Sequence, residues 1–293
     1  MSGAVVTLPA QRRKTETGGR MTHAHGKFMV FEGVGVTYGT AENRTEALQP
    51  TDLSIDEGEF LALVGPSGCG KSTILKLVSE VLAPSTGNIF FAGRELGANP
   101  LRVGMAFQSA SLLPWMSVRD NVMLPLKIVP PFKRHFRAKR HTEYRERVDA
   151  LLDQVGLIDF ADKNPWELSG GMMQRTNLCR ALVHEPDLLL LDEPFGALDQ
   201  FTREELWQTL QDLWIERRPT VILVTHDLRE AAYLASRICV MSPRPGRIVD
   251  DSAVDFARPR HIDLVFEPDF VALVQRLRSG IVKTPSTSNR ETA

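Results

Sequence analysis

Residues 65 to 72 read Gly65-Pro66-Ser67-Gly68-Cys69-Gly70-Lys71-Ser72, a fit to G-x-x-x-x-G-K-[ST]. Glycines at these positions let the backbone curl so that several N–H groups point inward at phosphate oxygens. Lys71 is placed to reach the β- and γ-phosphates of a nucleotide, and the Ser72 hydroxyl to ligate Mg²⁺. Thr73, the next residue, completes the expected nucleotide contacts at a helix start, where the positive helix end favours an anion. The Cys69 side chain reads as incidental to the loop, with a redox role as the alternative. Further along, the apolar run Leu188 to Leu191 ends in Asp192-Glu193. Here Asp192 is expected to hold Mg²⁺ through water, and Glu193 to position and deprotonate an attacking water. An ordinary loop acid pair is the competing reading, and the phosphate loop upstream argues against it. His226 follows a second apolar run, Thr220 to Thr225, and is expected to touch the γ-phosphate rather than serve the core.

These groups meet only if strands deliver them to one edge. Glu59-Phe-Leu-Ala-Leu-Val64 reads as a buried strand running straight into the phosphate loop. After it, Ile74, Leu77, Val78, Val81 and Leu82 share one helical face, with Pro84 and Gly87 closing that helix. Leu188–Leu191 suits a strand covered on both faces. Asp227 can cap the helix after Thr225, with Glu230 completing a box-like pattern. Phe28 to Tyr38 and Ala47 to Ile55 read as further β segments, and about 112–183 reads mainly as helix. In that stretch Val148, Leu151, Leu152 and Val155 lie on one face and Gly156 marks an end. Alternating strands and helices predict a mainly parallel α/β core with the helical region inserted into it.

The chain has 293 residues, 43% of them hydrophobic and 24% charged, with Lys+Arg 35 against Asp+Glu 36. That balance gives no global field for nucleic acid or an anionic membrane, so no nucleic-acid partner is expected. Cys69, Cys179 and Cys239 are too scattered for a disulfide framework, which fits a reducing cytoplasm. No apolar run approaches the ~18 residues needed to span a bilayer, so the described sequence is not itself a pore. Residues 1–27 are expected to form a mobile tail, with Met21 as an alternative start, and Lys283–Ala293 a second loose end. The basic run Lys133-Arg-His-Phe-Arg-Ala-Lys-Arg140 reads as a solvated face, with attraction to an anionic leaflet as a secondary reading.

Further segments resemble one family. Leu168-Ser-Gly-Gly-Met-Met-Gln-Arg175 resembles the signature of ATP-binding cassette (ABC) ATPases. Gln108 in Ala106-Phe-Gln-Ser109 resembles the Q-loop glutamine, Gly196-Ala-Leu-Asp199 the D-loop, and Val224-Thr-His-Asp227 the switch-histidine segment. The resemblance covers about residues 28–250 and implies a P-loop ABC cassette with an N-terminal antiparallel β subdomain. It leaves 251–293 as an extension, read as a small regulatory or dimer-supporting element or as extra core. It also implies that two copies pair head to tail and trap ATP, the cofactor-like substrate, together with Mg²⁺. The signature residues Ser169, Gly170 and Gly171 of one copy, with Asp199, would then serve nucleotide held by the other. Gln108 is implied to be both a catalytic and a metal-linked residue. Tyr38 aligns with the aromatic that stacks on adenine, a strand aromatic being the alternative. The sequence departs from the commonest signature at Met172, where Gln is usual.

A narrower resemblance joins Leu112-Leu-Pro-Trp-Met-Ser-Val-Arg-Asp-Asn-Val122 and Met241-Ser-Pro-Arg-Pro-Gly-Arg-Ile248 to the nitrate, sulfonate and taurine importer group. It implies an ATPase at the cytoplasmic face of the cell membrane, peripheral to permease subunits and indirectly served by a solute-binding protein. Leu112, Leu113, Pro114 and Trp115 are then either permease contact or core. An exporter cassette or a non-transport ABC ATPase is the alternative, although the chain has one phosphate loop and no sustained heptads.

Overall fold

The computed structural model describes residues 26–39, 43–98 and 101–282. The expected mobile ends, and Met21, fall outside those residues except at the inner boundary, where Lys27 pairs with Asp56 at 2.7 Å. Strands β1 (Met29–Tyr38), β2 (Thr45–Ile55) and β3 (Phe60–Val64) come first, then helix α1 (Lys71–Val78). Strands β4 (Thr86–Phe91), β5 (Arg94–Glu95) and β6 (Val103–Phe107) follow. Helices α2 (Val118–Ile128), α3 (Phe132–Lys139), α4 (Glu143–Gln154) and α5 (Gly170–Leu182) lead back to β7 (Leu188–Asp192). The rest is α6 (Gln200–Arg217), β8 (Thr220–Thr225), α7 (Leu228–Leu234), β9 (Arg237–Met241), β10 (Ile248–Ala253) and α8 (Pro268–Val282).

The core sheet has the order β10-β9-β3-β8-β7-β6, parallel except for the antiparallel edge strand β10. Both faces are covered, which explains why β3, β7 and β8 read as continuous apolar runs. Alternate residues feed two cores. Phe60, Ala62 and Val64 join Leu189, Leu191, Val221 and Leu223 on the face covered by the later helices. Leu61, Leu63, Leu188, Leu190, Ile222 and Val224 face α1 and the second, antiparallel sheet, β2-β1-β4-β5. The helices α2 to α4 are inserted between β6 and β7, as expected, while α5 packs on both α2 and β6 and so belongs to both lobes.

Several local expectations need correction. Helix α1 stops at Val78, before Val81, because Glu80 turns left-handed at φ 59°. Val81 is consequently exposed, and Gly87 lies in β4, where any Cβ would collide with the Glu32 and Gly33 carbonyls at 2.3 Å. Glu230 does not close a capping box. The Asp227 N–H donates instead to Thr225 Oγ1 at 3.0 Å, and the Glu230 side chain is buried. The stretch after residue 250 is largely exposed but sends Val254, Val265, Phe270 and Leu277 into the core. Arg260 is buried and donates to the carbonyls of Ala232, Tyr233 and Ala235, the end of α7, and to those of Val254 and Phe256. Burial first, and then Arg258, lowers its pKa to about 9. The basic run forms α3, with Phe132 inward and most of its cations in solvent.

Candidate active site

Sheet register brings the chemical groups together. Val64 pairs with Thr225, Val224 with Asp192, and Asp192 with Phe107. The next residue on each strand is Gly65, His226, Glu193 and Gln108. Four parallel strands thus present the phosphate loop, the histidine, the acid pair and the glutamine along one carboxyl edge, where open α/β sheets bind ligands.

Within the loop, Gly68 and Gly70 adopt φ of 74° and 102°, conformations that a side chain resists. Buried Lys71 donates from Nζ to the Gly65 carbonyl at 2.7 Å and the Pro66 carbonyl at 3.0 Å, so its ammonium is bonded back onto the loop. Cys69 is buried, and burial pushes its thiol pKa up despite the neighbouring Lys71. That favours the incidental reading over a redox one. Ser72 Oγ stands 3.4 Å from Asp192 Oδ1. Burial, and then the Glu193 charge, raises the Asp192 pKa, while Ser72, Lys71 and Lys76 act in the opposite direction. His226 Nδ1 lies 3.2 Å from Glu193 Oε2, and Glu193 itself has φ 46°. Tyr38 is partly exposed, with its hydroxyl 3.5 Å from Thr73 Oγ1. A cavity of about 200 Å³ joins Tyr38, the loop and Glu193.

Ser169, Gly170, Gly171 and Asp199 are placed elsewhere. Ser169 caps α5 by accepting the Met172 N–H, and Asp199 caps α6 by accepting the Thr202 N–H. The Thr202 bonds hold the Asp199 carboxyl below its ordinary range. The two turns abut: a Cβ on Gly171 would meet Thr202 Cγ2 at 2.5 Å. Gly170 borders a separate cleft with Gln108, Met173 and Leu198.

Sequence reasoning missed two features. Gln174, Asn177 and Arg180 form a polar ladder along α5. Gln174 Nε2 donates to the Gln108 carbonyl at 2.5 Å and Asn177 Nδ2 to the Phe107 carbonyl at 3.2 Å. Arg180 donates to the carbonyls of Ala110 at 2.7 Å and Ser111 at 3.0 Å. Their spacing along one helix face was the available signal. The second is Arg244, which also lines the cavity; its segment, Met241–Ile248, was read only for the family it resembles.

The profile of the ABC transporter family matches residues 48–196. This chain belongs to the ABC transporter family. It is an ATP-hydrolysing cassette with that family's P-loop fold, and it binds ATP. The cassette is 43% identical to the aliphatic sulfonates import ATP-binding protein SsuB of Bacillus licheniformis, covering 76% of this chain and 83% of that one. It is 42% identical to the nitrate import ATP-binding protein NrtD of Synechococcus elongatus, covering 82% and 86%. The taurine import ATP-binding protein TauB of a Jannaschia species is 45% identical, covering 72% and 76%. Among solved structures, a dimeric post-hydrolysis state of the ATP-binding cassette MJ0796 bound to ADP and Pi matches with TM-score 0.64 and 30% identity. That match covers 78% of this chain and all (100%) of the other.

Proposed function

We propose that the cassette couples ATP hydrolysis to solute import, of the nitrate, sulfonate and taurine kind, through a separate membrane permease. The observation that carries the catalytic part is the register that puts Gly65, Glu193, His226 and Gln108 on one edge. The import part is supported by the sulfonate, nitrate and taurine import proteins, each similar over most of its length.

In this reading Tyr38 stacks on adenine, and Gly65 to Thr73 cradle the phosphates. Glu193 removes a proton from the attacking water, and His226, held beside it, orients the transferring phosphoryl group. Ser72, Asp192 and Gln108 would hold Mg²⁺. The hydroxyl and carboxylate pair fits that ion, which takes few protein oxygens and shares the rest with phosphates. Among the described residues no group of three or more His, Cys, Asp or Glu forms an all-protein cage. When bound, the ion neutralises charge developing on the phosphate oxygens.

A second copy completes the site, its Ser169–Gly171 turn meeting the γ-phosphate and its Asp199 lying alongside. The physical support is the separation within one chain: the capped Ser169 turn borders its own cleft, away from the P-loop cavity. The dimeric neighbour is consistent with such pairing. No described helix is long and apolar enough to cross a membrane; in this reading a permease supplies the path. Trp115, exposed in the loop after Gln108, suits that contact and a station at the cytoplasmic face, with a solute-binding protein further upstream.

Affinity purification of the tagged chain from its own membranes, followed by Mg²⁺-dependent phosphate release, tests the reading. A co-purifying permease and phosphate release support it. Recovery with DNA or ribosomes, or no ATP turnover, overturns it.

A further inference from the structure

The loop joining β9 to β10, Ser242–Arg247, is a built element beside the phosphate cradle. The Ser242 hydroxyl accepts the Arg247 N–H at 3.1 Å and points at the Pro243 and Pro245 carbonyls. Gly246 donates its N–H to the Ala47 carbonyl at 3.1 Å, and its own carbonyl accepts the Gln49 N–H at 2.9 Å. A Cβ on Gly246 would stand 1.9 Å from the Cys69 carbonyl, so the loop is pressed directly on the phosphate loop. Pro243 and Pro245 flank Arg244 and restrict its backbone.

That anchoring presents Arg244 to the cavity shared with Tyr38, Lys71, Ser72 and Glu193. Lys71 directs its ammonium at loop carbonyls, whereas Arg244 makes no hydrogen bond or ion pair with any described residue. A guanidinium is permanently charged, has five N–H donors and accepts nothing. In a cavity of about 200 Å³ lined also by Ser67, Gly68, Gly70, Ser72 and Thr73, its complement is a multiply charged oxyanion.

We propose that Arg244 is a further nucleotide-binding residue, donating to the phosphate chain of the nucleotide in the P-loop cavity. This rests on the nucleotide-site reading above. Arg244 joins that site from a strand beyond the switch histidine, on a loop that ties the antiparallel sheet to the core sheet.

Equilibrium binding of ATP to the purified full chain tests it, using the parent, Arg244→Gln, Arg244→Lys and Lys71→Ala. Arg244 is exposed, so all Arg244 variants should share the parent's melting midpoint without nucleotide. Arg244→Gln should weaken ATP about tenfold, and the loss should shrink as salt rises and screens the pairing. Arg244→Lys should recover part of the affinity. An affinity for Arg244→Gln within about twofold of the parent overturns the proposal while leaving the P-loop site standing. A loss that does not respond to salt also overturns it, placing the guanidinium on the base instead. If Lys71→Ala binds ATP as tightly as the parent, the cavity is not the nucleotide site and both readings fall.

Discussion

Glu193 sits at φ 46°, a left-handed backbone conformation that costs a non-glycine residue of order 1–3 kcal/mol. Its N–H donates to the Val224 carbonyl at 2.8 Å, and its carbonyl accepts the Gly196 N–H at 3.1 Å, so the neighbouring strand β8 and the turn's own closing bond hold the strained residue. Replacing it with Gln keeps the shape and removes the proposed base. Glu193→Gln should lower phosphate release by about 10²-fold or more while retaining ATP binding; normal turnover in a phosphate-release assay would reassign the base. Glu230 carries a different residue-scale consequence. It is buried, one carboxyl oxygen has no partner, and burial, then Asp227, pushes its pKa well above 4.5. Thr225 and Arg203 act in the opposite direction, and Glu193 adds to the rise. The folded chain therefore keeps a proton that the unfolded chain releases above pH 4.5, and stability falls as pH rises from there towards the folded value. Glu230→Gln should raise the melting temperature more at pH 8 than at pH 5.5, as read by calorimetry across that range. The phosphate loop was legible because its chemistry is packed into consecutive positions. The failure of Glu230 to cap was not, because nothing nearby in sequence shows that Thr225 has already taken the Asp227 N–H.

At the scale of elements, the α5 ladder holds four carbonyls between Phe107 and Ser111, tying α5 to the loop after β6. Replacing Gln174 with Leu and Arg180 with Met should speed amide exchange at about 107–112 while leaving the phosphate loop unchanged, as read by mass spectrometry. Equal exchange in parent and variant would mean the ladder does not hold the loop. A second joint fastens the segment after β10 to α7, whose other end follows His226. Arg260 caps the α7 carbonyls, and Arg218 and Arg258 lie over the Trp214 ring at 4.5 and 4.4 Å. Arg260→Met strands several buried acceptors and should destabilise the chain by about 2 kcal/mol or more, checked by urea unfolding. The sequence showed the apolar strands β3, β7 and β8 plainly, since burial on both faces leaves a continuous signature. Short strands such as β5 and the half-exposed β6 left no comparable trace. The end of α1 was misplaced because Val81 and Leu82 continue the apolar period after the backbone has turned away.

For the whole molecule, parallel strands fix one half of the proposed reaction site, and the α5 and α6 caps display the other half elsewhere on the same chain. In the proposed reading a head-to-tail partner completes this layout, and activity would then depend on concentration. Glu193→Gln loaded with Mg·ATP should sediment as a dimer, and the nucleotide-free protein as a monomer; a monomer under both conditions would refute the shared site. The core topology was readable from alternating strands and helices, whereas the pairing of β2 with the 242–247 loop joins residues far apart in sequence and left no local mark. The indole side chains offer an optical consequence. Trp207 and Trp214 are buried, whereas Trp115 and Trp166 are 73% and 68% exposed, one after Gln108 and the other just ahead of the Ser169 turn. Iodide should therefore dim a solvent-reached pair of emitters and spare an inner pair. Mutating either outer indole to Phe leaves the other to report, by its shielding from quencher, which flank of the cassette has been covered.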